Sequence, residues 1–176
     1  MKFFKKASET EKLVKSLKNN NNIYLVPAFT GLGAPHWDAN ARGVLTGITR
    51  DTNPKEIVRA TIEAVAYQTY DLFEAMKHDG LRPKIVKVDG GMVMNNWFSQ
   101  FLSDIVNVKV LRPKVQETTA VGAAFMAGLQ IGVYKSLKDI SKIWHLDKKF
   151  SPSMGNKSRN HLLKGWSSAI KKTLTN

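Results

Sequence analysis

The chain contains no cysteine, so it can build neither a disulfide framework nor a thiolate metal site. No apolar run approaches the roughly 20 residues that cross a bilayer as a helix. The apolar part of the opening Met1-Lys2-Phe3-Phe4-Lys5-Lys6 is too short for a secretory core segment. These absences imply a cytoplasmic protein without a membrane partner. Acidic residues are scarce, 14 against 27 Lys and Arg, leaving a net charge of +13. Aromatic residues reach only 9%, yet with 43% hydrophobic content the 176 residues are enough for one cored domain rather than a disordered tail.

The positive charge is unevenly placed. Residues 1–22 carry a net +4, residues 23–134 a net +1, and residues 135–176 a net +8. The basic ends are rich in Lys and Asn, as in Lys18-Asn19-Asn20-Asn21-Asn22, with little Arg or aromatic interleaving. Nucleic-acid surfaces mix Arg and aromatics into their basic stretches. The ends therefore read as a solvated Lys-rich surface, with no nucleic-acid partner.

Periodicity orders the rest of the chain. Leu13, Val14 and Leu17 sit at helical spacing, and the Asn run ends that helix. Ile23 to Pro27 reads as a strand. From Ala28 to Gly43 a structured loop follows, in which Phe29 and Trp37 are expected to be buried, with Trp37 as anchor, Asp38 as a loop hydrogen-bonder and His36 as a packed residue. Gly43 to Ile48 is a second strand. Asp51 or Asn53, with Pro54 and Glu56, opens a long helix whose apolar stripe is Ile57, Val58, Ile62, Val65, Leu72, Phe73 and Met76, and Gly80 closes it. Lys84 to Val88 is a strand ending in Asp89-Gly90-Gly91. Asn95-Asn96 leads into a helix, Val108 to Leu111 is a strand, and Thr118-Thr119 opens a small-residue helix. This alternation predicts an α/β layer structure with parallel strands. Beyond Tyr134 come basic, weakly amphipathic segments with Trp144 and Trp166 as docking points.

The chemistry-bearing element is Val88-Asp89-Gly90-Gly91, at a strand's C-terminal end and before a helix. Ligands of open α/β sheets bind at that edge. Glycine lets backbone approach a ligand face, a helix N-terminus offers N–H groups, and the Asn95 amide both donates and accepts. This is a shelf for a nucleotide; by itself Asp-Gly-Gly is equally a tight turn.

Further motifs carry a resemblance. Gly43-Val44-Leu45-Thr46-Gly47-Ile48, Glu56-Ile57 and Ala60-Thr61-Ile62-Glu63, in that spacing, resemble a signature of the FGGY carbohydrate kinases. Val26 to Asp38, Ala41-Arg42-Gly43, Glu63 to Thr69, Val88 to Asn96 and Glu117 to Ala124 resemble the glycerol kinase branch of that family. The resemblance runs from about Tyr24 to Tyr134 and continues faintly to Trp166.

It implies an α/β fold of the actin-like ATPase (ribonuclease H-like) type, as an incomplete C-terminal domain of an FGGY kinase. Residues 1–22 would be a basic helix and loop lead-in, 23–134 the nucleotide-binding domain and 135–176 a basic helical tail. By resemblance, Gly91 and Asn95 contact the adenine nucleotide and Gly90 allows the turn that presents them. Gly122, Ala123 and Ala124 pack the last helix on the sheet, and Glu63, Tyr67 and Gln68 are helix surface and core. ATP and Mg²⁺ are the implied cofactors, with the metal site mainly outside this chain. Glycerol would be bound by a separate N-terminal kinase half, the implied partner alongside further copies of the chain. No catalytic or metal-ligating residue is assigned here, so the chain is expected to be inactive alone. The Phe150–Asn160 segment, where some relatives bind a regulatory partner, has no acidic residue, and no such partner is inferred. Two rival readings remain: a kinase for another sugar or polyol, and a non-catalytic assembly protein using its basic ends.

Overall fold

The computed structural model describes residue 4, residues 6–115 and residues 117–175; most of the opening Met1–Lys6 stretch lies outside that set. Helix α1 spans Thr10–Lys15, after a 3-10 turn at Ala7–Glu9. Strand β1, Tyr24–Val26, pairs antiparallel with β2, Val44–Thr46, in a two-stranded ribbon with Leu25 opposite Leu45. The long helix α2, Pro54–His78, begins where local chemistry dictates. Asn53 accepts from the Lys55 N–H at 3.0 Å, Glu56 reaches back to the Asn53 N–H at 2.8 Å, and Pro54 occupies the first turn.

Strand β3, Ile85–Lys87, and strand β4, Lys109–Pro113, flank helix α3, Asn96–Val106. They pair in parallel, with Val86 opposite Val110. Helix α4 spans Thr118–Gln130 and the short α5 Leu137–Ser141. Strand β5, Leu146–Phe150, then pairs antiparallel with β4, giving a sheet of order β3-β4-β5. Helix α6, Asn156–Thr173, ends the chain, and no helix among the described residues is long and apolar enough to cross a membrane.

Several expectations change. Among the described strands only β3 and β4 pair in parallel, because β1 meets its partner across the 27–43 loop and β5 runs back along β4. Residues 146–150, expected as part of a basic, weakly amphipathic tail, form β5; a strand in which four of five residues are exposed shows no buried alternation in sequence. Of the stripe expected on α2, Val58, Ile62 and Phe73 are buried, while Val65, Leu72 and Met76 stay exposed. Helix α4 is not packed on the sheet. Ala123 and Ala124 face solvent, and the helix is held through Phe125, edge-on to Tyr134 at 5.6 Å.

The 28–43 loop is structured, but polar groups rather than its aromatics hold it. Phe29 and Trp37 are each 77% exposed, so neither is the expected anchor. Asp38 is the organiser: it accepts from the Asn40 and Ala41 N–H groups, each at 3.0 Å, and from the Thr175 N–H at 2.7 Å. The Thr175 amide is the first cause that holds the Asp38 carboxyl below its ordinary value of 3.8, with the Thr175 hydroxyl, Ala41 and Asn40 adding to it against burial. His36 packs with Nε2 3.1 Å from Asp71.

The anchoring aromatic is Trp166. It is 1% exposed and stacks on Tyr67 of α2 at 5.2 Å, while Tyr67 meets Phe101 of α3 edge-on at 5.6 Å. Trp166, Ala169, Ile170 and Thr173 recur at helical spacing and form the buried face of α6. Gly165 is the point of closest approach: a Cβ there would lie 2.2 Å from the Tyr24 hydroxyl.

Gly165→Ala should therefore destabilise the chain by about 1–3 kcal/mol, the usual cost of overpacking. Gly122→Ala, whose new Cβ meets nothing within 4 Å, should instead stabilise by about 0.5–1 kcal/mol by removing a helical glycine. Equilibrium urea unfolding of both variants reads the two signs.

Asp38 generates a pH dependence. A carboxyl whose folded pKa is depressed adds stability that is complete above its unfolded value and lost as pH falls through the folded one. The gap in thermal midpoint between the natural chain and Asp38→Asn should be fully open at neutral pH. It should narrow as the pH drops below the ordinary value of 3.8. A gap independent of pH would show that the carboxylate charge contributes nothing.

Candidate functional site

The chain leaves β3 through Val88 and Asp89 and turns at Gly90, whose φ of +84° and ψ of 176° suit glycine alone. Gly91 opens a short 3-10 turn, Gly91–Met94, and Asn95 caps α3. Gly91 itself has nothing within 4 Å of where a Cβ would stand. It lines a cavity of about 540 Å³ together with Asn95, Met92, Met94, Ile62 of α2 and Ala7, Ser8, Thr10 and Glu11 of the lead-in. Gly91 and Asn95 thus share one opening; Gly90 shapes the turn but does not line it.

The turn is fixed from behind by groups that the sequence reading did not single out. Arg112 of β4, 6% exposed, donates from Nη1 to the Val93 carbonyl at 2.7 Å and from Nε to Asp147 at 2.7 Å. Its guanidinium lies over the Phe150 ring at 5.6 Å. Ser99 donates to the same Val93 carbonyl at 2.9 Å. The available signal was a lone arginine in the alternation of β4; its partners come from 16 or more positions away, so no local pattern gives them.

The α3 N-terminus is not the open set of donors expected. Asn95 Oδ1 accepts the Phe98 N–H at 3.0 Å, and Glu11 accepts the Asn96 N–H at 3.2 Å. Burial pushes the Glu11 carboxyl up, but Lys15 and the Asn96 amide outweigh it and hold the group below its ordinary value. The Asn95 amide nitrogen lies 3.4 Å from the Thr10 hydroxyl, at the cavity rim. A ligand would meet the Gly91 backbone and this amide edge rather than a bare helix end.

Glu63 and Tyr67 take the core places expected of them. Glu63 is fully buried and accepts from Arg59 Nε at 2.7 Å, Tyr67 at 3.0 Å and Asn20 at 3.2 Å. Burial raises the Glu63 carboxyl against the pull of Arg59, and burial beside Glu63 keeps the Tyr67 phenol protonated. Neither residue opens onto the cavity. Among the described residues no three His, Asp or Glu side chains converge as a metal site requires.

Asn95 has a structural duty that can be measured separately. Asn95→Ala should cost about 0.5–2 kcal/mol through the lost helix cap, whereas Asn95→Asp keeps an acceptor for the Phe98 amide and should cost far less. Equal losses in denaturant unfolding would mean that the cap is not what Asn95 contributes.

Comparison with known proteins places this arrangement. Residues 3–131 match the C-terminal domain of the FGGY family of carbohydrate kinases. Glycerol kinase 1 of Pseudomonas aeruginosa is 52% identical over 172 residues, which cover 98% of this chain and 35% of that protein. The glycerol kinase of Rhodospirillum centenum is 50% identical over 167 residues, 95% of this chain and 34% of that one. Among solved structures, Plasmodium falciparum glycerol kinase with ADP superposes with a TM-score of 0.86 at 34% identity, over 99% of this chain and 35% of that chain. A ligand-bound xylulose kinase from Lactobacillus acidophilus gives 0.77 at 25% identity, over 98% and 35%. The chain thus spans about a third of the length of the curated relatives it matches. These neighbours carry the actin-like ATPase fold expected from the sequence motifs.

Proposed function

The chain belongs to the FGGY family of carbohydrate kinases, and from that premise we propose that it supplies part of the ATP wall of a glycerol kinase. The reaction is ATP + glycerol → ADP + sn-glycerol 3-phosphate. The observation that carries this reading is identity of about half to glycerol kinases across nearly the whole chain, with Gly91 and Asn95 brought to one cavity. The weaker likeness to xylulose kinase, 25% against 34% for the glycerol kinase structure, favours the glycerol branch over other sugar kinases.

The residues fit a nucleotide. The Gly91 backbone offers a face without a side chain, and the Asn95 amide offers an edge to a purine; both stand on elements fixed by Arg112, Ser99 and Glu11. Mg²⁺ would neutralise the phosphates, but the described residues hold no ligand cluster for it. By the family resemblance, the glycerol pocket, the catalytic base and most of the metal site are assigned to the part of the relatives that this chain does not cover. Phosphoryl transfer depends mainly on positioning and charge stabilisation across a cleft, and this chain contributes one side of it in the cytoplasm.

The test is kinetic, on the chain assembled with the part of the Pseudomonas aeruginosa enzyme that it does not cover. Gly91→Val, which meets no protein atom at its Cβ, should raise the KM for ATP far more than that for glycerol. Asn95→Asp should shift ATP in the same direction by about 1–2 kcal/mol, since the donor edge becomes an acceptor. Unchanged ATP affinity in Gly91→Val would move the nucleotide elsewhere, and preference for xylulose as acceptor would favour the rival kinase reading.

A further inference from the structure

We propose that a second cavity, walled by the asparagine turn after α1, by α2 and by the first two turns of α6, binds a small phosphate-bearing anion. It measures about 590 Å³ and shares no lining residue with the cavity of Gly91 and Asn95. Three stretches of this chain bring cationic or protonatable side chains to it: Lys18 from the turn, Arg59 from α2, and Lys157 and His161 from α6. No Asp or Glu lines it. The ammonium groups of Lys18 and Lys157 have no ion pair or hydrogen bond among the described residues.

The cavity has a buried floor. Arg59 is 7% exposed; its Nε donates to Glu63, its Nη1 to the Leu17 carbonyl, and its guanidinium lies 5.1 Å from the Trp97 ring. Among the described residues its Nη2 donates to no group, and it is not sealed from solvent. The guanidinium is thus held in place with donors to spare. Asn20, 3% exposed, fixes the turn above it: Oδ1 accepts the Asn22 N–H at 3.1 Å and the amide donates to Glu63 at 3.2 Å. Asn21 and Asn22 hold φ of +49° and +58°, a backbone that asparagine visits more readily than most residues with a side chain. Across the opening, His161 Nε2 lies 3.1 Å from Asn22 Oδ1 and ties α6 to the turn. The cavity is therefore shaped before a ligand arrives, which lowers the cost of binding.

Charge selects the ligand. Arg59 is offset by Glu63, so Lys18 and Lys157 are the cations left to be matched. Two ammonium groups beside a guanidinium suit a phosphate dianion or a diphosphate, since Arg donates to phosphate in a fixed fork and Lys acts as a point charge. The volume lies in the range of small-molecule sites, about 300–1,000 Å³. The Gly91 cavity has the opposite character: Met92, Met94 and Ile62 wall it and Glu11 stands among them. A purine is covered there, whereas a free phosphate would meet a carboxylate. The two cavities therefore call for different ligands.

The test is a titration of the full chain with inorganic pyrophosphate at fixed ionic strength, read by calorimetry and by amide chemical shifts. Saturable binding with a Kd of about 1 mM or tighter is expected, with shifts concentrated in residues 18–22 and 157–162. Lys18→Gln combined with Lys157→Gln should weaken it by about tenfold or more. Lys171→Gln combined with Lys172→Gln removes the same charge at the far end of α6 and should leave it unchanged. All four side chains are exposed, so the thermal midpoints should stay together, and Arg59 is left in place because Glu63 needs it. Equal weakening by the two double variants would reduce the binding to diffuse charge and overturn the site. Shifts confined to Gly91 and Asn95, or no saturation by about 10 mM, would overturn it as well. Phosphatidylglycerol vesicles separate the sources of phosphate: vesicle binding that pyrophosphate fails to displace would give these lysines to a lipid surface and remove the soluble anion.

Discussion

The stack of Trp166 on Tyr67 is the contact on which the rest of the arrangement depends. It fastens the last helix to the longest one, across about a hundred residues of sequence. The indole N–H donates to Asp71 at 2.8 Å, and the same carboxylate oxygen faces His36 of the 28–43 loop. One carboxylate therefore joins α6, α2 and the loop. Tyr24 of β1 adds a tilted contact to Tyr67 at 5.8 Å, and Phe101 of α3 adds an edge-on one. Aromatic pairs contribute about 0.5–1.5 kcal/mol each beyond the area they bury. What the cluster provides most is common geometry: three elements, β1, α3 and α6, must be placed relative to one ring of α2.

Beneath that cluster lies a polar centre that makes the same demand. A buried carboxylate is costly unless its oxygens are filled and its charge paired, and Glu63 is filled by Arg59, Tyr67 and Asn20. Arg59 also donates to the Leu17 carbonyl at 2.8 Å and lies over Trp97 at 5.1 Å. The network thus sets the turn after α1, and with it the place of Thr10 and Glu11 at the cavity rim. Core and candidate site are linked through the lead-in segment, and this explains how residues 85 positions apart, Glu11 and Asn96, come to bond.

The features written in local chemistry were legible from the chain. Asn53, Pro54 and Glu56 fix the start of α2, Gly80 its end, Asn95 the cap of α3, and Asp-Gly-Gly the turn, because caps and turns involve groups only a few residues apart. The family was legible too, because its motifs are contiguous. Burial was not. Trp37 and Trp166 are the same residue type, yet one is 77% and the other 1% exposed. The choice between them is made by Tyr67, Asp71 and the bare backbone of Gly165, none of which is local to both. Likewise β5 is a strand only because β4 offers it an edge. The amino-acid sequence determined where elements begin, where they turn and which family they serve. Tertiary structure alone decided which apolar surfaces are covered, since desolvation depends on what arrives from elsewhere in the chain.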